Sequence, residues 1–309
     1  MHEFRRILVG VDLSFQGKSL SGVLSPPTEE AVERGMLLAA QNGAELCFAA
    51  VLDAGDTTER LIHDARTDDP NVFDEAHALL GQLVQKARQR QINAEARVLV
   101  GKSWLKLIQE VLKFNHDLVV VGTRHEGFVD RVLFGSTAIK LLRKCPCPVW
   151  VAKPSGGKPL SSVLVAHDLG AVGRYALDMG LGLALSEDLQ LYVIHGLEQL
   201  PVGDVTGLGF ASPDVKVLHQ EAHDRILVEL EGVELSHPPQ IRIINGRPES
   251  AILEMVEENS IDLLIMGTLG RTGLRGVLTG NTAERILARL QCSLLAVKPD
   301  EFHCPIELE

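Results

Sequence analysis

The sequence predicts two tandem open parallel five-stranded sheets flanked by helices, an α/β architecture written twice in one chain. Three observations predict it. Asp117-Leu-Val-Val-Val-Gly-Thr123 reappears as Asp262-Leu-Leu-Ile-Met-Gly-Thr268, and Gly135-Ser-Thr-Ala138 reappears as Gly280-Asn-Thr-Ala283. The offset of 145 holds without a gap from about Ala96/Ile241 to Pro154/Pro299, longer than a chance likeness of two strands would keep register. Short apolar runs without alternation suit strands buried on both faces. Their alternation with helical patterns implies a parallel sheet with right-handed crossovers.

In the first half the expected strands are Ile7–Val11, Glu45–Val51, Ala96–Val100, Leu118–Val121 and Pro148–Ala152, with helices near 29–42, 73–91, 103–114 and 136–144. The second half repeats this with strands near 162–167, 189–195, 240–245, 262–266 and 293–297, and helices near 172–186, 214–231, 249–259 and 281–290. The expected domains are 1–154 and 160–309, joined by the linker 154–160. Residues 16–28 follow Asp12 and have no counterpart after Asp168, while 53–71 and 198–213 follow the second strand of each half. Long loops at this end of a sheet serve as lids or are tolerated insertions, and the sequence leaves both readings open.

A chain of 309 residues is enough for two cores of ordinary size. A net charge of -11, with no long Lys/Arg run, argues against a nucleic-acid surface. No apolar run approaches the roughly 20 residues of a membrane helix, so no membrane partner is expected. The N-terminus runs straight into a strand without a signal-peptide pattern. Five cysteines form no disulfide framework, and the expected compartment is a reducing cytoplasm. Cys145-Pro-Cys147 reads as buried cysteines rather than a redox or metal pair.

The chemistry concentrates after the fourth strand of the second half. Gly267-Thr-Leu-Gly270-Arg-Thr-Gly273-Leu-Arg-Gly276 leads to Gly280-Asn-Thr-Ala-Glu284. Glycines admit positive φ and close ligand approach, and successive backbone N–H groups make an anion-binding concavity. Asn281 and Glu284 have the spacing of a capping box, so a helix N-terminus adds free amides there. The pattern reads as a phosphate cradle, or as a flexible connection. No Walker motif is present, and Gly207-Leu-Gly209 is a very weak dinucleotide signal.

The arrangement Gly-x2-Gly-x9-Gly-Ser/Thr behind a fourth strand, with an Asp ending strand one, resembles the universal stress protein family. Leu141-Leu-Arg-Lys-Cys-Pro-Cys-Pro-Val-Trp150 and the tail from Val297 to Leu308 make the chain most similar to the tandem, E-type members of bacteria. The resemblance implies an adenine-nucleotide α-hydrolase-like, Rossmann-like fold and binding of ATP, with or without Mg. It implies that adenine lies near the strand-one Asp and the end of strand two, and the phosphates on the glycine loop. Carried over, the nucleotide-binding candidates are Ala166, His167, Asp168, Gly196, Met266, Gly267, Gly270, Arg271, Gly280, Asn281 and Thr282. Two departures stand out. Asn281 replaces the motif Ser/Thr and still donates a hydrogen bond. His167 stands where a smaller residue is common, which would set an imidazole against the base.

The corresponding first-half positions are Asp12, Val51, Gly122, His125, Gly135 and Ser136. His125 replaces the second motif glycine, and Glu126 stands where Arg271 does in the other half. A side chain in the cradle and a negative charge beside it oppose a triphosphate, so this site is read as degenerate.

No catalytic set is identified, so hydrolysis or autophosphorylation is expected to be slow at most. His219 and His223 share a helix face at i,i+4, yet Gln220 breaks the zinc-protease pattern and no third ligand is identifiable. His116, His125, His167 and His195 look scattered. Trp104 and Trp150 read as core. The family resemblance implies a stress-response regulator with an intramolecular pseudo-dimer of its halves, protein partners, and homodimerisation of the whole chain as a further option. Two alternatives stay open: a scaffold for another ligand (lipid, metal or metabolite), and a nucleotide-dependent enzyme of unidentified substrate.

Overall fold

The computed structural model describes residues 3–13, 15–16, 19–20, 22–52, 72–123, 134–197, 213–246, 248–267, 286–287 and 289–308. The chain divides into two compact units. One runs from Glu3 to Pro159 and includes Asp300–Glu309; the other spans Leu160–Pro299. The tail from Asp300 therefore belongs with the first unit, although by sequence it follows the second repeat. Within that unit, Cys304 Sγ donates to the Lys144 carbonyl at 3.3 Å.

The first unit contains β1 (Arg6–Val11), β2 (Phe15–Gln16), β3 (Ser19–Leu20), α1 (Pro26–Asn42), β4 (Glu45–Leu52), α2 (Val72–Gln89), β5 (Ala94–Val100), α3 (Ser103–Phe114), β6 (Leu118–Gly122), α4 (Ser136–Lys144) and β7 (Val149–Ala152). Its parallel strands lie in the order β7-β6-β1-β4-β5. β2 and β3 form a short antiparallel ribbon that begins at Phe15 and runs into the 16–28 stretch. The remainder of that stretch starts α1 three residues earlier than the periodicity suggests. Ser25 takes the extended N-cap conformation and Pro26-Pro27 fill the first turn, where fixed proline φ suits a helix and no N–H is missed.

The second unit contains β8 (Ser162–Ala166), α5 (Ala171–Glu187), β9 (Gln190–Leu197), α6 (Pro213–Leu230), β10 (Gln240–Asn245), α7 (Pro248–Glu258), β11 (Leu263–Gly267) and β12 (Ser293–Val297). Its order is β10-β9-β8-β11-β12, again fully parallel. Of the helix expected over 281–290, only 286–287 are helical among the described residues. Both orders reverse direction at the first strand of the unit, so the carboxyl ends of β1/β6 and of β8/β11 are switch points.

The cores follow the apolar runs. Ile7, Leu8, Phe48 and Trp150 are buried in the first unit, and Leu164, Val165, Leu191 and Ile265 in the second. Each such side chain contributes about 1.5–3 kcal/mol. Trp104 departs from the core reading. It is half-buried, and the ammonium groups of Lys140 and Lys144 lie 5.3 and 4.6 Å from its ring centroid. One helical glycine in each unit lets the first helix settle on the first strand. A Cβ on Gly35 would stand 2.3 Å from Val9 Cγ2, and one on Gly180 2.6 Å from Val165 Cγ2.

The repeated Asp of the fourth-strand motif ties the amino end of the sheet. Asp117 accepts the amides of Arg5 and Arg6 at 2.7 and 3.0 Å. Asp262 Oδ2 accepts the Ser161 amide and hydroxyl at 2.8 and 2.7 Å. The same carboxylate in each copy thus anchors the start of the neighbouring strand.

Candidate functional site

At the carboxyl end of the second sheet, register sets Ala166 of β8 between Ile194 of β9 and Met266 of β11. One step further along, the chain leaves β8 as His167-Asp168 and β11 as Gly267. Ala166, Asp168, Gly196 and Gly267 are partly exposed here, whereas Met266 is buried. These candidates therefore sit on adjacent strand ends. Gly270, Arg271, Gly280, Asn281 and Thr282 lie outside the described residues, as does His125.

Asp168 caps α5. Its Oδ1 accepts the amide of Gly170 at 2.8 Å and that of Gly173 at 2.9 Å. A carboxylate on the N-cap amide and on one first-turn amide satisfies an orphan donor and meets the positive end of the helix dipole. Gly173 is required by this contact, since a Cβ there would stand 2.5 Å from Asp168 Oδ1. Leu169 makes the tight connection in the left-handed region at φ 56. In the first unit, the longer 16–28 stretch separates Asp12 from α1. The equivalent helix start is held by a Ser25–Thr28 hydroxyl pair at 2.9 Å. Surrounding protein mass raises the Asp12 carboxyl above its ordinary value.

His167 does not face the open end of the sheet. Its side chain is fully buried; Nδ1 accepts the Leu169 amide at 2.9 Å and Nε2 meets Glu229 Oε2 at 3.0 Å. The Nδ1 contact places the proton on Nε2, where it points at the carboxylate. His195 Nδ1 donates to the His167 carbonyl at 2.8 Å. Arg225 Nη2 donates to the Leu169 carbonyl at 3.0 Å, and Arg174 approaches Glu229 at 3.5 Å. The imidazole expected against a base is thus turned into the protein. The cause is a half-buried Glu229 partner on α6, a helix separated from His167 by the whole β9 crossover.

Sequence reasoning missed Glu229, Arg225, His195 and Gly173. The i,i+4 spacing of Arg225 and Glu229 was the available signal, since it puts both on one face of α6.

The strand-end glycines have a packing role. A Cβ on Gly122 would stand 2.5 Å from the Pro27 carbonyl oxygen, and one on Gly267 2.5 Å from Val172 Cγ1. Pro27 and Val172 are each the second residue of the first helix of their unit, so the end of the 16–28 stretch does have a counterpart after Asp168, contrary to the sequence reading. In both copies the first turn of the first helix rests on the bare end of the fourth strand. At Gly196, a Cβ would meet the Gly246 carbonyl at 2.9 Å. Val51, Gly122 and Gly135 are partly buried and Ser136, the first residue of α4, is exposed.

A family model for the universal stress protein family matches residues 3–153 and again 160–298. The chain belongs to the universal stress protein family. The two matches make it a tandem member. Universal stress protein E of Photorhabdus laumondii is 29% identical over 307 residues, covering 94% of this chain and 98% of that one. Universal stress protein E of Salmonella typhi is 32% identical over 214 residues, covering 66% of this chain and 67% of its own. The crystal structure of a universal stress protein from Archaeoglobus fulgidus superposes with a TM-score of 0.62 at 18% identity, covering 94% of this chain and 98% of that one. That last likeness concerns the fold.

Other features of this universal stress protein fit structural roles. Cys145 and Cys147 are buried with sulfurs 3.6 Å apart, and the Cys145 contact together with burial holds the Cys147 thiol well above its ordinary value. His219 Nε2 contacts Asn245 Oδ1 at 2.7 Å. No helix among the described residues is long and apolar enough to cross a membrane.

Proposed function

We propose that this universal stress protein is a stress-response regulator that binds an adenine nucleotide, ATP with or without Mg, in its second unit, with slow hydrolysis at most. The observation that carries the reading is the coincidence of sequence motif and topology. Gly267-x2-Gly270-x9-Gly280 begins on the last residue of the strand that flanks the switch point of a parallel sheet, beside Asp168 at the start of α5. In this reading Ala166, Asp168, Gly196 and Met266 surround the base end. Gly267, Gly270, Arg271, Gly280, Asn281 and Thr282 hold ribose and phosphates. His167 supports the floor from inside rather than touching the ligand.

The first unit is proposed to bind nucleotide poorly, because His125 and Glu126 replace Gly270 and Arg271. Occupancy of the second unit then acts as a switch on a protein-binding surface, since a ligand shifts an equilibrium only by its differential affinity. The test is competition among ATP, GTP and CTP for the intact chain, read by equilibrium dialysis. Preference for ATP by at least about tenfold, a difference of about 1.4 kcal/mol, supports an adenine site. Equal retention of all three, or of none, contradicts it.

A further inference from the structure

At the amino end of the first sheet, opposite the strand ends that carry Asp12 and Gly122, lies a second cluster of chemistry. Cys47 belongs to β4, Glu110 to α3, and His116 to the turn that follows α3. All three are at least nine-tenths buried. One ligand atom from each lies within 4.8 Å of the others. A pocket of about 300 Å³ opens beside them, lined in part by Arg6, Asn93, Arg97 and Phe114. Neither ring nitrogen of His116 makes a hydrogen bond of ordinary geometry, although the Arg6 backbone lies close by. A buried imidazole left in that condition is unusual, and this one is aimed at a thiol and a carboxylate.

We propose that Cys47, Glu110 and His116 bind a divalent cation of the zinc type. Sulfur, nitrogen and oxygen donors in one buried group suit a borderline-soft ion. Tetrahedral zinc separates such donors by about 3.5 Å, so a contraction of about 1 Å completes the set. Cys47 and His116 line the pocket, which would give a water ligand a route to the ion.

The surrounding charge favours a cation. The pocket lining carries Glu45 and Glu95 against Arg6 and Arg97, and Glu110, paired with Arg97, adds a third carboxylate. Arg97 Nε holds Glu110 at 2.7 Å, while its Nη2 already bonds Glu95 at 2.8 Å and its guanidinium lies 3.7 Å from the Phe114 ring centroid. Release of Glu110 therefore leaves Arg97 with an anion and a ring. Burial pushes the Cys47 thiol up to about 12 and depresses His116, so thiol and imidazole are neutral before the ion arrives. Binding moves the Cys47 proton to solvent and leaves a thiolate on the metal. Affinity therefore rises with pH.

The test uses the full-length chain with cobalt(II) as a spectroscopic probe and zinc as competitor. The expected result is one cobalt per chain with a thiolate-to-cobalt charge-transfer band that zinc abolishes. Cys47→Ser removes the band, His116→Gln weakens binding at least about tenfold, and Cys304→Ser changes neither. Arg97→Gln tightens binding, because the competing guanidinium is gone. Absence of a thiolate band in the wild-type chain at saturating cobalt overturns the proposal even where a variant fails to fold. A band that survives in Cys47→Ser and disappears in Cys145→Ser belongs to the Cys145–Cys147 pair and overturns it as well.

Discussion

The buried imidazole of His167 hydrogen-bonds Glu229 at 3.0 Å, and this pair joins the exit of β8 to α6. It also holds the Leu169 amide on Nδ1. His167→Leu leaves that amide and the Glu229 carboxylate without the ring. The expected loss is about 1–3 kcal/mol, read as a lower urea midpoint at unchanged slope. An unchanged midpoint would mean that the contact contributes nothing to the fold of the second unit.

Asp168 caps α5 through Gly170 and Gly173. Asp168→Ala should cost about 1 kcal/mol, and Asp168→Asn less, because an amide oxygen still accepts. Chemical denaturation of the three proteins checks the order. If the asparagine variant is as unstable as the alanine one, acceptance at Oδ1 is not what holds the turn.

Gly122 and Gly267 are equivalent in sequence yet unequal in what an added methyl would meet. At Gly122 it meets the Pro27 backbone, and at Gly267 a Val172 methyl that a side-chain rotation relieves. Gly122→Ala should cost about 2–3 kcal/mol and Gly267→Ala about 1 kcal/mol. Thermal unfolding of the two variants side by side tests this, and the reverse order would contradict it.

His116 gives stability a pH slope. Burial lowers its folded-state value below the ordinary 6.5, so on acidification the unfolded chain takes up this proton first. Its contribution is complete above about 6.5 and is lost as pH falls toward the depressed folded value. In metal-free buffer, stability measured between pH 7.5 and 5.5 should fall less steeply for His116→Gln than for wild type. Parallel curves would place the acid sensitivity elsewhere. These pH values are set at about one unit either side of the reference imidazole.

Much of the fold was legible because its signals are local. Apolar runs such as Leu118–Val121 and Leu263–Met266 identify doubly covered strands from their own composition. The repeat offset then supplies the second sheet from the first. The start of α1 was less legible, since Pro26-Pro27 reads as a loop until Ser25 is seen to cap it. The site was legible only where it is a motif. Asp168, Gly196 and Gly267 come to neighbouring strand ends as the pattern implies. The inward turn of His167 was not legible, because its cause, Glu229, lies 62 residues away on another element. The Cys47–Glu110–His116 cluster was hidden for the same reason: three elements contribute one residue each.

We propose an asymmetric pair of units in which only the second holds ATP. Calorimetric titration of the intact chain with ATP and Mg, after removal of any co-purified ligand, tests it most directly. One site per chain is expected, abolished by Gly270→His without loss of folding, since the first unit already carries histidine at that motif position. No binding, two equal sites, or a single site that survives Gly270→His would contradict it.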